Sequence, residues 1–346
     1  MTQGLSAEPG ASGVATGSPR ILIVKLSSLG DVVHAMPALQ DMRRALPGAQ
    51  IDWVVERGFA PLVQRCEGVR RIIPCELRRW RKAPLAARTR AEWRAFREDL
   101  QREAYDAVID LQGLSKSALV AWLARLAPGG KRYALANRTD GSGYEAPTRW
   151  VADVAVRIEP HIHAVQRSRL LCAQALGYAL PAEEVYGLHP AAASTVAPSA
   201  RPCVALVHGT SRADKEWPVA HWVDLAARLD AAGLDVALLH GNDAEQRRSE
   251  TMARAMGHAV VWPRLSLDAL TDALAGCAGV IGVDSGLSHI AVALDLPHVQ
   301  LYNFDTAWRT GPVGHARQRS VYAQPAPRVD AVWQAWLAVS TAPESR

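Results

Sequence analysis

The chain has 346 residues, of which 49% are hydrophobic and 21% charged, which supports two filled cores and excludes global disorder. No apolar run approaches the ~20 residues that a membrane-spanning helix needs, and Met1 to Pro19 lacks the basic and apolar regions of a secretory signal, reading instead as a flexible extension. The net charge is +5, but residues 43–102 alone carry 15 Lys and Arg against 7 Asp and Glu, so this stretch points to an anionic partner or surface.

The five cysteines (Cys66, Cys75, Cys172, Cys203 and Cys277) are odd in number and scattered. They form no Cys-x-x-Cys or Cys/His cluster, so neither a disulfide framework nor a zinc site is expected, and a reducing compartment fits.

In chain order, Ile21–Leu26 is an apolar strand that breaks into Ser27-Ser28-Leu29-Gly30 and delivers Asp31 before an amphipathic helix, 32–46. Asp52–Val55 is a short strand, 59–66 a helix, and Arg71–Pro74 a second short apolar segment. A basic helix over 88–103 leads to a strand, Tyr105–Leu111, and the turn Gln112-Gly113 opens a further helix, 115–126. After an Ala-, Pro- and Ser-rich stretch the pattern restarts. Strands Cys203–Val207, Asp235–Leu239, Gly279–Val283 and Val299–Tyr302 alternate with helices over 217–232, 244–256, 267–275 and 287–294. A last helix covers 329–339. Strand–helix alternation predicts mainly parallel sheets. The expected organisation is an extension (1–19), a first lobe (20–180), a linker (181–202), a second lobe (203–328) and a terminal helix (329–346) returning to the first lobe.

A buried strand feeding a small-residue turn presents a reactive group at the carboxyl edge of a sheet. Asp31 is therefore either a helix cap or a carboxylate in a crevice. The turn Gly282-Val-Asp-Ser-Gly-Leu-Ser-His289 opens a helix whose free N–H groups suit a phosphate. His208-Gly-Thr-Ser-Arg-Ala-Asp-Lys215 repeats the device with two hydroxyls and a lysine, a plausible diphosphate clamp. Each is also readable as a capped helix start. The cluster Arg78-Arg-Trp-Arg-Lys82 offers guanidinium forks for carboxylate or phosphate, and no nucleic-acid-reading module accompanies it. His34 and His289 each lie one turn into a helix facing the expected cleft, where a satisfied, partly buried histidine is the ordinary role. The chain has no Gly-x-x-x-x-Gly-Lys-Ser/Thr loop, no Gly-x-Gly-x-x-Gly, no Gly-x-Ser-x-Gly and no Asp-x-Asp pair.

Six blocks together resemble the lipopolysaccharide heptosyltransferase I family. They are Ile23-Val-Lys-Leu-Ser-Ser-Leu-Gly-Asp-Val-Val-His34, Asp52-Trp-Val-Val-Glu56, Arg78-Arg-Trp-Arg-Lys82, Asp106-Ala-Val-Ile-Asp-Leu-Gln-Gly-Leu-Ser-Lys-Ser117, Asp214-Lys-Glu-Trp-Pro218 and Val283-Asp-Ser-Gly-Leu-Ser-His289. The resemblance implies an α/β GT-B fold, two Rossmann-like lobes around an interlobe active site. It implies inverting, metal-independent transfer of L-glycero-D-manno-heptose from ADP-heptose to a Kdo sugar of Kdo2-lipid A, with no cofactor and no nucleic acid partner. It also implies a cytoplasmic enzyme held at the inner membrane by basic charge. By motif, Asp31 matches the catalytic base. Thr210, Ser211, Lys215, Glu245, Asp284, Ser285, Gly286 and His289 match donor positions. Ser28, Gly30, Arg78, Arg79, Arg81, Lys82 and Lys116 match the acceptor side. Serine stands at 211 and 285 where threonine is familiar, and Tyr302-Asn-Phe-Asp-Thr-Ala-Trp308 departs from the Gly-Pro-Thr-Asp-Pro-like loop of the wider family. A heptosyltransferase for a heptose acceptor, a nucleotide-sugar epimerase and an inert nucleotide-binding adaptor are the alternative readings.

Overall fold

Ile21, Leu22, Ile23 and Val24 are all fully buried, as expected for a central parallel strand covered on both faces. They form most of β1 (Arg20–Val24) in the computed structural model, which describes residues 18–190, 196 and 200–343. Of the expected N-terminal extension only Ser18 and Pro19 fall among the described residues. The first lobe continues with β2 (Gln50–Glu56), β3 (Val69–Cys75), β4 (Ala104–Asp110), β5 (Arg125–Leu135) and β6 (Val154–Val156), in the spatial order β3-β2-β1-β4-β5-β6. The second lobe contains β7 (Cys203–Val207), β8 (Asp235–Leu238), β9 (Ala259–Val261), β10 (Gly279–Val283), β11 (His298–Tyr302) and β12 (Gln318–Tyr322), in the order β12-β11-β10-β7-β8-β9. Every neighbouring pair is parallel. Both sheets thus have the doubly wound order, with the strand sequence reversing between β1 and β4 and between β7 and β10. Ligands bind at such reversals, outside the carboxyl ends of the strands.

The two lobes meet at these ends. The helix Leu29–Val33, after β1, packs on the helix Gly286–Ala293, after β10. Glycine permits the approach. A Cβ on Gly30 would lie 2.7 Å from His289 Cδ2, and one on Gly286 would lie 2.7 Å from Leu29 Cβ. An apolar cluster containing Ile21, Ile23, Leu62, Val63, Leu274 and Ile290 is shared by both lobes, and Arg65 pairs with Asp272 across them at 2.8 Å.

Several expectations need correction. The helix expected over 32–46 is two helices, Leu29–Val33 and Met36–Ala45. Pro37 lacks an N–H and sits in the first turn of the second one, so the chain restarts there. The terminal helix Val329–Ser340 does not return to the first lobe. Val332, Trp336 and Val339 pack against Val204, Ile281 and Leu301 of the second lobe, because their spacing forms one apolar face that covers the β10–β12 side of that sheet. The expected linker begins too early. Tyr186 and Leu188 are buried, the Glu67 N–H donates to Gly187 O at 2.7 Å and the His189 N–H to Arg65 O at 3.1 Å. The segment 186–189 therefore completes the first lobe.

Candidate active site

The carboxyl ends of β1 and β4 shape the first-lobe wall of the cleft. Gln112 Oε1 accepts from the backbone N–H groups of Leu26 and Ser27 at 3.1 and 3.0 Å, tying the two turns together. Asp110 holds the second turn, accepting from the Gln112 and Gly113 N–H groups at 2.8 and 3.1 Å and from Ser117 Oγ at 3.0 Å. Burial pushes its carboxyl up to about 6, against those hydrogen bonds.

Asp31 is both a cap and a cleft residue. Its Oδ2 accepts from Ser28 N at 3.1 Å and Ser28 Oγ at 2.9 Å. Its Oδ1 faces Lys25 Nζ at 3.3 Å and Arg167 Nη2 at 3.7 Å. Burial alone would raise this carboxyl, but Lys25, followed by Arg167, holds it well below the usual carboxylate range. Asp31 is consequently ionised at neutral pH. Lys25 is itself 1% exposed and donates to Leu111 O at 3.0 Å. Burial lowers its pKa, against the pull of Asp31.

The second lobe faces this wall. Lys215 Nζ pairs with Asp284 Oδ2 at 2.5 Å, and His289 Nε2 lies 3.6 Å from Asp284 Oδ1. Burial opposes ionisation of Asp284, and His289 and Lys215 overcome it, holding the carboxyl well below its ordinary range. Thr210 Oγ1 donates to Asp284 O at 3.2 Å, which joins the turns that follow β7 and β10. Ser285 precedes the first turn of the helix Gly286–Ala293, whose N-terminus lines the cleft through Ser285 and Gly286 and leaves N–H groups without intrahelical partners.

A cavity of about 240 Å³ is lined from one side by Lys25, Ser28, Gly30, Asp31 and Arg167 and from the other by Ser211, Lys215, Asp284, Ser285, Gly286 and His289. Three buried polar atoms of its lining residues, His34 Nε2, Ser285 Oγ and Arg309 Nε, have no protein hydrogen-bond partner. Such atoms are costly unless a ligand or water completes them. The His34 ring lies against that of His289, tilted by 58° with ring centroids 4.2 Å apart, and burial together with His289 pushes its pKa well below the imidazole value.

A second cavity of about 550 Å³ adjoins it through Ser211, Ser285 and Gly286. Leu239, Trp262, Leu265, Leu270 and Leu287 give it an apolar wall, and Thr210 and Glu245 stand at its polar side. Glu245 Oε2 accepts from Gly241 N at 2.7 Å. An apolar slot beside a carboxylate, next to a cationic and N–H-rich chamber, can hold a nucleoside with its phosphates.

The basic acceptor-side residues lie outside both cavities. Arg78, Arg81 and Lys82 are exposed at and after the short helix Leu77–Trp80 that follows β3. Arg79 is engaged by Glu76 and Glu92. Lys116 bridges toward the site, donating to Ser27 Oγ at 3.0 Å. Burial lowers the Lys116 pKa, and Arg78 and Arg81 contribute to that shift, so the three form one positive field. Sequence reasoning missed Lys25, Arg167 and Arg309. Lys25 carried a signal, as a charge at the end of a fully apolar strand. Arg167 and Arg309 come from helices with no local motif.

A family model described as glycosyltransferase family 9 (heptosyltransferase) matches residues 93–331. The chain is 41% identical over 288 residues to lipopolysaccharide heptosyltransferase 1 of Escherichia coli (strain K12), covering 82% of this chain and 87% of the relative. It is 41% identical over 309 residues to the lipopolysaccharide heptosyltransferase 1 of Pseudomonas aeruginosa, covering 86% and 82%. The structure of E. coli heptosyltransferase WaaC with ADP superposes with a TM-score of 0.80 at 35% identity, covering 91% of this chain and 98% of that one. The two-lobed GT-B architecture expected from the sequence is the one found. The chain belongs to glycosyltransferase family 9, the heptosyltransferases, and is a glycosyltransferase.

Proposed function

We propose that this enzyme transfers L-glycero-D-manno-heptose from ADP-heptose to a Kdo residue of Kdo2-lipid A, with inversion and without a metal ion. The observation that carries the reading is the shared cavity. An ionised carboxylate, Asp31, lines it from one lobe, and a lysine, a hydroxyl and a helix N-terminus line it from the other. The relatives named above support the donor. One is a lipopolysaccharide heptosyltransferase 1, and WaaC has been solved with ADP and with ADP-2-deoxy-2-fluoro heptose.

The adenosine occupies the apolar cavity, with Glu245 toward its ribose. The diphosphate lies against Thr210, Ser211, Lys215 and the N–H groups that open the helix Gly286–Ala293. An acceptor hydroxyl attacks the anomeric carbon from the face opposite the diphosphate. The new C–O bond forms as the bond to the diphosphate oxygen breaks, the hydroxyl proton passes to Asp31, and ADP departs with the electron pair. Asp31 acts as general base. Negative charge grows on the leaving oxygen, and Lys215 and the helix N-terminus stabilise it where it develops.

Lys116, Arg78, Arg81 and Lys82 form a positive rim that suits Kdo carboxylates and lipid A phosphates. The same charge supports peripheral contact with the anionic cytoplasmic face of the inner membrane. No described helix is long and apolar enough to cross a membrane.

Incubation of the enzyme with ADP-heptose and Kdo2-lipid A, followed by mass analysis, is expected to show addition of one heptose. Product with a heptosylated acceptor but none with Kdo2-lipid A would replace this acceptor assignment with that of a related heptosyltransferase.

A further inference from the structure

The segment 302–311, which contains the 302–308 stretch set apart in the sequence, contacts both sides of the cleft. On the donor side, Asn303 Nδ2 donates to the carbonyls of Asp214 at 3.1 Å and Glu216 at 2.9 Å, bracketing Lys215. On the acceptor side, Arg309 Nη1 donates to Gly141 O at 2.6 Å. The Trp308 ring stacks on His161 at 3.7 Å between centroids and 23° between planes. His163 Nε2 lies 2.9 Å from Gly311 O. Gly141 has φ +64°, and the Arg309 guanidinium occupies the space a side chain there would need.

The loop that Arg309 grips reaches the catalytic carboxylate. Thr139 and Ser142 tie it, with their hydroxyls 2.8 Å apart and Ser142 Oγ donating to Thr139 O at 2.9 Å. Thr139 Oγ1 accepts from Arg167 Nη1 at 3.1 Å, and Arg167 Nη2 lies 3.7 Å from Asp31 Oδ1. A path therefore runs from the backbone around Lys215 to Asn303, along the chain to Arg309, across to Gly141, along the loop to Thr139, and through Arg167 to Asp31.

We propose that Arg309 is a positioning residue that couples occupancy of the donor site at Lys215 to the placement of Arg167 and Asp31. The inference rests on the donor and base assignments above. A diphosphate drawn to Lys215 fixes the backbone at 214–216, whose carbonyls hold Asn303. A fixed 303–311 segment holds the loop 138–142, which keeps Arg167 against Asp31. A path of contacts is a coupling path only where binding at one end changes affinity at the other, and that change is reciprocal.

The test measures the Kd of ADP with and without saturating O-deacylated Kdo2-lipid A, in the full chain and in Arg309→Ala, Arg309→Lys, Asn303→Ala and the Arg309→Ala/Asn303→Ala double variant. In the unaltered enzyme the acceptor is expected to tighten ADP by about fivefold or more, the lower end of ordinary coupling. The ratio falls toward one in each alanine variant and no further in the double variant, since both act on one path. Arg309→Lys, which keeps a donor for Gly141 O, recovers part of it. At saturating acceptor, kcat falls in the alanine variants and the KM for ADP-heptose rises by no more than the coupling factor lost. A folded Arg309→Ala protein with an unchanged coupling ratio would overturn the inference, as would an unaltered enzyme that binds ADP with no coupling. An unaltered enzyme that does not bind ADP at all would instead overturn the donor-site reading, and the inference with it.

Discussion

Lys25 Nζ sits 3.3 Å from Asp31 Oδ1 at the floor of the interlobe cavity, and it is the nearest cation to the proposed base. A lysine that is 1% exposed at the end of an apolar strand is costly to bury unless it is paired, so its position is tied to that carboxylate. Removing its charge in Lys25→Met leaves the burial of Asp31 and takes away the strongest opposing influence. The acid limb of kcat/KM, expected below the ordinary carboxylate range for the unaltered enzyme, should then move to higher pH. A pH–rate profile in which the acid limb of Lys25→Met coincides with that of the unaltered enzyme would contradict this. The same sign governs stability. A carboxyl whose folded pKa is depressed contributes stability that is fully present above about pH 4, its unfolded value, and is lost as pH falls toward the folded pKa.

Lys215 is expected to act on the transition state more than on binding. Its partner Asp284 keeps it at the mouth of the helix Gly286–Ala293, where the proposed mechanism develops leaving-group charge. Lys215→Ala should lower kcat by about 10²–10³, the usual cost of one lost charge-stabilising donor, with a smaller change in the Kd of ADP. Steady-state kinetics and ADP titration separate the two quantities, and an effect confined to Kd would make Lys215 a binding residue only.

Gly30→Ala tests the fit between lobes. The added Cβ falls 2.7 Å from His289 Cδ2, so either His289 shifts or the helices separate. Misplacement of about 1 Å at a reacting centre costs ~100-fold in rate. The expected result is a large loss of kcat with nearly unchanged ADP affinity and a modest fall in Tm. Wild-type turnover would show that the lobes close differently in the reacting complex.

Arg81→Ala should raise the acceptor KM by about tenfold, the lower end for a hydrogen bond to a charged group, and leave the donor KM nearly unchanged. Kinetics with each substrate varied in turn reads both values. An unchanged acceptor KM would return Arg81 and its neighbours to an ordinary solvated surface.

The central strands and their parallel pairing were legible because they are uninterrupted apolar runs that end in small-residue turns, as at Val24 and Val283, whereas the strand order was not. The break between Leu29–Val33 and Met36–Ala45 was not, since apolar spacing continues through Pro37. β5 was also hidden. Pro128-Gly129-Gly130 sits inside it and reads as a turn, whereas the chain there forms an irregularity opposite Tyr105 and Ala107. The site residues that follow strand ends, Asp31, Ser211, Lys215, Asp284 and Ser285, could be placed together from the chain alone. Arg167 and Arg309 could not. They lie within the helices Ala164–Leu176 and Ala307–Thr310, and only tertiary packing brings them to the cavity. The expected return of the terminal helix to the first lobe failed because its apolar face does not specify which lobe it covers.

The central claim, that Asp31 is the general base, is tested most directly by Asp31→Asn, which keeps the size of the side chain and removes its charge. Single-turnover transfer from ADP-heptose to Kdo2-lipid A, read by product mass alongside ADP titration, is the measurement. The account predicts a folded protein with ADP affinity close to that of the unaltered enzyme and a transfer rate lower by about 10²–10⁴, the range for loss of a positioned base. Transfer at the unaltered rate would contradict it and leave Asp31 as a helix cap.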